Sequence, residues 1–354
     1  MTSPVESLAV SATPLAAVRE EEWTALLDTN ATASAFSKRA FHQAWWQAHG
    51  SGAEDVSIAA RNPANGELLG YLPLMRRPDG VIYSGATLHI DYATVLLAPV
   101  SGRSHQTHDV LPAADAAADA VADALADALL ARNEPINLMR IRPADQAHTR
   151  MATAIQRAAT KARRTATYDV EEPAPFIDLR GINTLDEHLD RLDKKQRHEI
   201  RRKVRRGEAA GVEIRASDNL LADLPEFIRL HRARWGERGL FTNSPKGAEE
   251  ETLLRELLAR VSGDTVTMLM ARNEEFGTFA AGLFLRDAGA IRYWNAGGDA
   301  AARALSPGVL LFVHGVTLAI KEEREQFDFL RGNEAYKYEC GAVDAQVMKV
   351  QVPT

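Results

Sequence analysis

The stretch from residue 265 to residue 332 decides the fold. It reads TVTMLMAR (265–272), GTFAAGLFLRD (277–287), AIRYWNAGG (290–298), SPGVLLFVHGVTLAIKEE (306–323) and QFDFLRG (326–332). The first three runs are rich in apolar or β-branched residues and are bounded by turn residues, which predicts three strands. A serine and a proline start the fourth run, which is apolar on nearly every face and predicts a buried helix. Three strands, a capped helix and a fourth strand indicate an α/β domain whose helix N-terminus can bind an anion.

Two helices precede this stretch. Thr184 and Glu187 form a capping box, and apolar residues recur at helical spacing up to Gly207, which predicts one helix over this range. A second helix is predicted over 219–236. Before them, the segment EEPAPFIDL (171–179) predicts an extended connector, because a proline disfavours helical backbone in the residue before it.

This connector separates two predicted domains. We expect a flexible tail over 1–20, an N-terminal domain over 21–175 and a C-terminal domain over 176–354. The N-terminal half predicts helices at 21–28 and 38–49, then strands, an Ala-rich helix, a strand and a helix. Since both halves share this broad order, we predict an α/β (α+β) fold of two related domains, each a mixed, mostly antiparallel twisted sheet flanked by helices.

No metal site is predicted. The Ala-rich segment carries aspartates at every fourth position, which places them on one helical stripe (Asp115, Asp119, Asp123 and Asp127). A solvated face explains this stripe better than a divalent metal site. The pair His105 and His108 lies in a Ser/Thr-rich loop and is likewise predicted to be solvated.

Composition excludes several classes of protein. The 354 residues are 45% hydrophobic and 25% charged, which is the ordinary globular balance. The single cysteine, Cys340, rules out an internal disulfide and is expected to be a buried side chain rather than a nucleophile. No apolar run is long enough to span a bilayer and no signal peptide is visible, so we expect a cytoplasmic protein. The motifs of Rossmann, P-loop, zincin and α/β-hydrolase proteins are missing.

Charge is concentrated in one segment. The chain has a net charge of −6, whereas RLDKKQRHEIRRKVRR (191–206) alone carries +7. Three interpretations remain open: a solvated helix face, a platform for an anionic acceptor, or a tRNA contact. Because the rest of the chain is acidic, we favour an anionic small or polymeric substrate over tRNA.

The turn before the buried helix is the main candidate site. A turn that feeds a helix N-terminus offers unpaired N–H groups and the positive end of the helix dipole. Gly308 permits close approach of a phosphate, and Arg303 adds a positive charge. An ordinary Ser-Pro helix start is the alternative interpretation.

This order and spacing resemble the GNAT superfamily of N-acetyltransferases. Arg303 and Gly308 match the superfamily's pyrophosphate loop, whereas Ser306 stands where the first glycine is expected. A more specific resemblance is to BioF2-like/CelD-type acetyltransferases and their FemAB-like relatives, which have two GNAT-type domains. It rests on Asp91-Tyr92, the basic segment, HRARWGERG (231–239), the SPGVLL turn and FDFLRGNEAYKYECGA (327–342), and it covers most of 175–345.

The resemblance implies acyl transfer from acetyl-CoA or another acyl-CoA to an amine. It implies a cofactor-binding turn, made of Arg303, Leu305, Ser306, Pro307, Gly308 and Val309. Direct attack by an amine needs a base, an oxyanion donor and an acid for the thiolate. Glu334 is the candidate base, Tyr336 or Tyr338 the acid, and Lys337 and Arg331 would neutralise charge. The alternative is that Glu334 forms a structural ion pair with Lys337 or Arg331.

Further residues are candidates for acceptor binding. They are Asp91, Tyr92, Arg234, Trp235, Asn295, Asp299 and Arg331. For Asn295 and Asp299, stabilisation of the GGD turn is an equal alternative. For Trp235, a place in the core is the alternative.

Three functions follow from these observations. The first is a GNAT-type N-acyltransferase, with a degenerate N-terminal domain that shapes the acceptor site. A FemAB-like transferase would instead take its acyl group from aminoacyl-tRNA and bind tRNA in a salt-sensitive way. The third is a non-catalytic binding protein on a GNAT fold, which is suggested by Ser306.

Overall fold

The computed structural model describes residues 8–87, 89–98 and 112–354, with side chains from residue 116 onward in the last range. The predicted pair His105 and His108 therefore lies outside the described residues. The chain divides into two compact units: unit 1 is Met1–Glu172 with Gln346–Thr354, and unit 2 is Pro173–Ala345.

Within its described residues, unit 1 has nine strands and four α-helices before its chain passes into unit 2. The strands are β1 (Ala9–Ala12), β2 (Glu54–Asp55), β3 (Ile58–Arg61), β4 (Leu68–Leu72), β5 (Leu74–Arg76), β6 (Ile82–Ser84), β7 (Leu96–Leu97), β8 (Ile136–Ile141) and β9 (Thr167–Pro173), whose last residue is already in unit 2. The helices are α1 (Glu20–Asp28), α2 (Arg39–His49), α3 (Pro112–Leu130) and α4 (Gln146–Lys161).

The segment predicted as a flexible tail contains β1. Residues Ala9–Ala12 pair antiparallel with β3, and Leu15 and Val18 are buried in the core. Four residues with mixed small side chains carry too weak an alternation to be recognised as a strand, and tertiary pairing decides their conformation.

The acidic stripe of α3 pairs with α4. Asp119 contacts Arg150 at 2.5 Å, Asp123 contacts Arg157 at 2.7 Å, and Asp127 contacts Lys161 at 3.2 Å. The opposite face of α3 is buried in the core. The predicted solvated face is therefore a row of surface ion pairs between two helices, each of which contributes about 0–1 kcal/mol.

Unit 2 holds the next strands and helices. The strands are β10 (Phe176–Asp178), β11 (Glu213–Ala216), β12 (Val266–Asn273), β13 (Gly277–Arg286), β14 (Ala290–Gly298) and β15 (Gln326–Asp328). The helices are α5 (Leu185–Asp190), α6 (Lys194–Ala209), α7 (Leu220–Trp235), α8 (Pro245–Leu258), α9 (Pro307–Lys321) and α10 (Ala335–Glu339). The last strand, β16 (Gln346–Val352), returns to unit 1.

The sheets are mixed but mostly antiparallel. Unit 1 has a four-stranded sheet, β1-β3-β4-β7, and a six-stranded sheet, β2-β5-β6-β8-β16-β9. Unit 2 has one six-stranded sheet in the order β10-β15-β14-β13-β12-β11, in which only β14 and β15 run parallel. The predicted mixed α/β architecture is confirmed.

The single helix predicted from Thr184 to Gly207 is two helices. Thr184 caps α5 as expected, but α5 ends at Asp190 and Asp193 caps α6 by accepting hydrogen bonds from Lys195 N and Gln196 N. An aspartate can cap a new helix while the apolar residues on both sides of it keep helical spacing, so the spacing alone does not show where one helix ends and the next begins. Gly207 lies inside α6, where its Cα faces Leu310 of α9.

Candidate active site

The carboxyl-terminal half of β14 has an open edge. β14 pairs with β15 only through Ala290, Ile291 and Arg292, since β15 ends at Asp328. Over 295–298 its register is with β13 alone, among the residues that the structure describes. Gly298 ends this strand beside Pro307, the first residue of α9. A crevice beyond the carboxyl end of a parallel strand pair is where open α/β sheets bind ligands.

A bulge distorts β14 at this edge. Leu283 is opposite Asn295 and Phe284 is opposite Tyr293, so Trp294 is the extra residue. Bulges bend a strand and re-aim its side chains, and they are common next to active sites. Nothing in the alternation of AIRYWNAGG indicated it.

Helix α7 approaches β14 very closely. Gly297 has no side chain, and a Cβ there would meet the backbone of Leu230 and His231. Trp235 Nε1 donates a hydrogen bond to Ala296 O at 2.9 Å, and Ala296 N donates to Asn295 Oδ1 at 2.8 Å. The Trp235 and Asn295 side chains thus bind the backbone C=O and N–H of the same residue, Ala296, and both lie at the open edge.

Arg234 and Trp235 form an exposed pair beside this edge. The guanidinium carbon of Arg234 lies 5.0 Å from the centroid of the Trp235 ring, and Trp235 is 39% exposed. Trp235 is thus a surface side chain held by one hydrogen bond, and the alternative of a core position does not apply.

The turn before α9 has an unusual backbone. Ser306 has φ 56° and ψ 54°, in the left-handed region, and its side chain makes no capping hydrogen bond to the helix. Leu305 and Pro307 are buried, Arg303 is exposed, and a Cβ on Gly308 would meet nothing within 4 Å. Val309 N donates to Ser306 O at 2.9 Å, which tightens the first turn of the helix. The predicted cofactor-binding residues therefore form one continuous turn with open space at Gly308.

Helix α6 supports this turn. Arg206 donates a hydrogen bond to Ala304 O at 2.6 Å. A Cβ on Gly207 would lie 3.0 Å from a methyl carbon of Leu310, so α6 and α9 are packed closely. Asp299 caps the short 3-10 helix Ala300–Leu305, which precedes this turn, by accepting a hydrogen bond from Ala301 N at 3.0 Å. This contact agrees with the alternative prediction that Asp299 stabilises a turn.

Lys337 stabilises a loop. Its side chain is buried, and Nζ donates to the carbonyl oxygens of Leu330, Arg331 and Gly332 at 3.3, 2.7 and 3.1 Å. Nζ also lies 2.9 Å from Glu334 Oε2. Because an ammonium group has only three hydrogens, Lys337 has no donor left for a reacting group. The ion pair between Glu334 and Lys337, which was the structural alternative, is the one observed.

The Glu334 carboxylate remains accessible. Its side chain is 59% exposed, and α10 begins directly after it. Burial acts to raise the pKa of Glu334, but the hydrogen bond and charge of Lys337 act against it, and the pKa lies below its usual value. Glu334 is thus ionised at neutral pH and able to accept a hydrogen bond or a proton, although only as a weak base.

The tyrosines differ in their surroundings. Burial raises the pKa of Tyr336 to about 12, and its ring, which is 47% exposed, contacts Phe329 edge-on. Tyr338 donates its hydroxyl hydrogen to Asp344 Oδ1 at 2.7 Å, which raises the pKa of Tyr338. Burial raises the pKa of Cys340 to about 12, so its thiol is protonated and unreactive at neutral pH.

Two predicted acceptor residues lie in unit 1. The Tyr92 ring is buried against Phe36, and the guanidinium carbon of Arg142 lies 4.6 Å from its centroid. Tyr92 therefore packs the unit 1 interior, next to the partly buried Asp91. Arg331 lies in unit 2 on the loop that Lys337 holds.

Sequence reasoning missed three charged or titratable residues near this site. Arg292 and Asp328 form a buried ion pair that joins β14 to β15. His231 packs against Phe241 with its ring centroid 4.8 Å away, and burial, with the charge of Arg234, lowers its pKa to about 4. The motif HRARWGERG contained His231, but a buried histidine on a helix carries no signal that separates it from an exposed one.

Known proteins resemble this chain in domain and fold. Residues 194–338 match the family model of the acetyltransferase (GNAT) domain, from the start of α6 to α10. FemX has a TM-score of 0.60 at 11% identity and covers 94% of this chain and 96% of its own. The C-terminal domain of a putative lysylphosphatidylglycerol synthetase from Agrobacterium fabrum has a TM-score of 0.55 at 10% identity, covering 94% and 92%. L-PGS from Bacillus licheniformis has a TM-score of 0.53 at 11% identity, covering 97% and 93%. No curated protein matches the sequence.

Proposed function

We propose that this chain, which carries a GNAT domain within a FemAB-like two-domain fold, transfers an acyl group from acyl-CoA to an amine. One observation carries the proposal: the matched range contains the open edge of β14 and, next to its end, the turn at Ser306–Gly308. A coenzyme A thioester suits this combination, because its diphosphate is attracted to the positive end of a helix dipole and its amide-containing arm can lie along a strand edge that has no partner strand.

The acyl donor that best suits this turn is acetyl-CoA or another acyl-CoA. Gly308 leaves open space at the helix N-terminus, and the exposed Arg303 adds a cation for the diphosphate. Leu305, Pro307 and Val309 shape the turn, and the left-handed Ser306 directs the chain into α9. Arg206, on the neighbouring helix, stabilises the turn through Ala304 O.

The transfer proceeds by direct attack. The acceptor ammonium loses a proton to Glu334, and its nitrogen attacks the thioester carbonyl. The C–S bond of the resulting tetrahedral intermediate breaks, and Tyr336, which is protonated at neutral pH, gives its proton to the departing thiolate. The surplus proton on the former amine nitrogen passes to the Tyr336 phenolate, which leaves a neutral amide and a free thiol. Lys337 contributes by fixing the loop that carries Glu334.

Calorimetric titration with acetyl-CoA tests the donor. Gly308→Asp should weaken binding at least tenfold, since its carboxylate would meet the diphosphate, whereas Gly308→Ala should bind within about threefold of the wild type. Both substitutions enter open space, so the fold is retained in each. Arg303→Ala should lose part of the affinity. If Gly308→Asp and the wild type bind acetyl-CoA equally well, the diphosphate does not bind at this turn.

An aminoacyl-tRNA donor is the second candidate. It is favoured by the exposed cations of α6 (Lys194, Lys195, Arg202 and Arg205), although Arg202 is paired with Glu199. Binding of charged tRNA that falls steeply between about 50 and 200 mM salt, together with no affinity for acetyl-CoA, would support it. Retention of tRNA binding in a Lys194→Ala, Lys195→Ala, Arg205→Ala variant would contradict it.

One experiment would exclude a non-catalytic role. If Glu334→Gln and Tyr336→Phe lower the rate of acyl transfer to a test amine at least tenfold, the chain is an enzyme. If no acyl thioester is consumed by the wild type with any amine, the binding-protein alternative takes precedence.

A further inference from the structure

Alternate residues of β14 direct their backbone polar groups into the open edge. Asp299, the residue after β14, donates a hydrogen bond from its N–H to Phe279 O of β13 at 2.8 Å, so Asp299 faces β13. In an antiparallel pair, successive residues direct their N–H and C=O groups alternately towards the partner strand and away from it. Because the register with β13 is continuous over these residues, Ala296 and Gly298 direct their polar groups away from β13. An arm that contains amides would pair with the edge at these two residues.

Side chains already bind both outward-facing groups of Ala296. Trp235 Nε1 donates to Ala296 O at 2.9 Å, and Asn295 Oδ1 accepts from Ala296 N at 2.8 Å. These two contacts occupy the positions that the backbone of a neighbouring strand would take. A ligand amide that donates to Ala296 O must therefore replace the indole N–H of Trp235.

The Trp235 ring is held in place weakly, whereas its backbone is held firmly. Trp235 is the last residue of α7, and a Cβ on Gly239 would lie 2.9 Å from the Trp235 Cβ, so the base of the side chain is closely packed. The ring itself is partly exposed and contacts the His231 ring, at 6.3 Å between centroids, and the Arg234 guanidinium. One hydrogen bond between neutral groups changes an equilibrium constant by only about fivefold. A rotation of the side chain can therefore expose Ala296 O without any movement of α7.

We propose that Trp235 is a gate for the acyl donor: its indole occupies the backbone acceptor that the amide-containing arm of acyl-CoA needs, and the arm binds after the indole has turned away. This inference rests on the proposed function, because the arm belongs to the proposed donor. In the exchange, an N–H of the arm takes the place of the indole N–H on Ala296 O. The apparent Kd for acyl-CoA is therefore the intrinsic Kd divided by the fraction of molecules whose gate is open.

Trp235→Phe tests the gate, because phenylalanine keeps an aromatic ring beside Arg234 but has no N–H for Ala296 O. Calorimetry should show that this variant binds acetyl-CoA about three to ten times more tightly than the wild type does. ADP, which shares the adenosine diphosphate of coenzyme A but has no arm, should bind both proteins equally. Thr252→Val is the control variant, since it removes an exposed hydrogen bond, from Thr252 Oγ1 to Ala248 O at 2.9 Å, that does not involve β14. Its affinity for acetyl-CoA should remain within about twofold of the wild type.

NMR of the indole N–H groups in the full chain observes the gate directly. The Trp235 resonance is assigned by its loss in Trp235→Phe. Saturable titration with acetyl-CoA should shift this resonance, because the indole gives up its bond to Ala296 O. Titration with ADP should leave it in place, because a ligand without an arm does not need that oxygen.

The outcomes separate the gate from the proposed function. Equal or weaker binding of acetyl-CoA by Trp235→Phe overturns the gate but keeps the donor, because the indole would then be neutral or would itself contact the donor. Binding by Trp235→Phe alone supports both, since it means that the closed gate predominates in the wild type. Absence of acetyl-CoA binding by either protein overturns the donor and the gate together.

Discussion

Single side chains fix the backbone of the loop at 329–332 from both sides. Asp328 Oδ1 accepts a hydrogen bond from Leu330 N at 2.7 Å, and Leu330 has φ 60°, in the left-handed region. Lys337 Nζ donates hydrogen bonds to three carbonyl oxygens of the same loop. The sequence predicts that this segment carries the chemistry, but it does not separate Lys337, whose side chain holds the loop, from Glu334, whose carboxylate remains accessible. That difference depends on which side chain points inward. In an irregular loop the side chains do not alternate regularly between inside and outside, so the sequence does not show it.

Lys337→Met should lower the free energy of unfolding by about 3 kcal/mol, because it leaves three carbonyl groups without their donor in a buried loop. Lys161→Met is the control, since Lys161 is 63% exposed and pairs with Asp127 on the surface. It should change stability by less than about 1 kcal/mol. Urea denaturation followed by circular dichroism measures both. Equal losses in the two variants would mean that the loop does not depend on Lys337.

The main helices and strands of unit 2 were predicted well because their apolar residues recur clearly at the spacing of a helix or a strand. The three strands at 265–298, helix α7 and helix α9 all lie within two residues of the expected bounds. The break between α5 and α6, the early end at Asp328 of the strand predicted over 326–332, and the bulge at Trp294 were not predicted. Each of these depends on one local hydrogen bond or on the partner strand rather than on the period of the sequence. The bulge and the end of β15 are also what create the open edge, so the part of the sheet that we propose as the acyl-donor site is the part that periodicity does not describe.

Two glycines in α9 should respond to alanine in opposite ways. Alanine stabilises a helix by about 0.5–1 kcal/mol relative to glycine, and at Gly308 a Cβ meets nothing, so Gly308→Ala should raise stability by that amount. At Gly315 a Cβ would lie 2.5 Å from Phe284 and 2.8 Å from Phe327, and overpacking of this kind costs about 1–3 kcal/mol. Gly315→Ala should therefore destabilise the protein. Thermal denaturation of the two variants decides the matter, and stabilisation by both would mean that the core relaxes around residue 315.

At the scale of the whole chain, unit 2 is inserted into unit 1. The predicted boundary at residue 175 is three residues from the observed one at Glu172, but the last nine residues belong to unit 1. Their strand, β16, pairs with β8, more than 200 residues earlier. Such a pairing leaves no trace in local sequence, since QVMKVQV alternates equally well for any partner strand. None of the helices within the described residues has the length and apolarity needed to cross a membrane.

Buried histidines in both units should make the protein sensitive to acid. Burial lowers the pKa of His42 to about 3 and of His231 to about 4, and it also lowers the pKa of His148 and His188. In the unfolded chain these groups titrate near pH 6.5, so between that pH and about 4 the unfolded state binds more protons than the folded one. Stability is therefore full well above pH 6.5 and falls with decreasing pH, by up to about 1.4 kcal/mol per pH unit for each of His42 and His231, while the lowered pKa of His148 and of His188 adds to the fall. Urea denaturation at pH 7, 6 and 5 measures the slope, and His42→Gln should reduce it by about one proton even though the substitution itself destabilises the core. An unchanged slope in that variant would mean that His42 takes up its proton while the protein is folded.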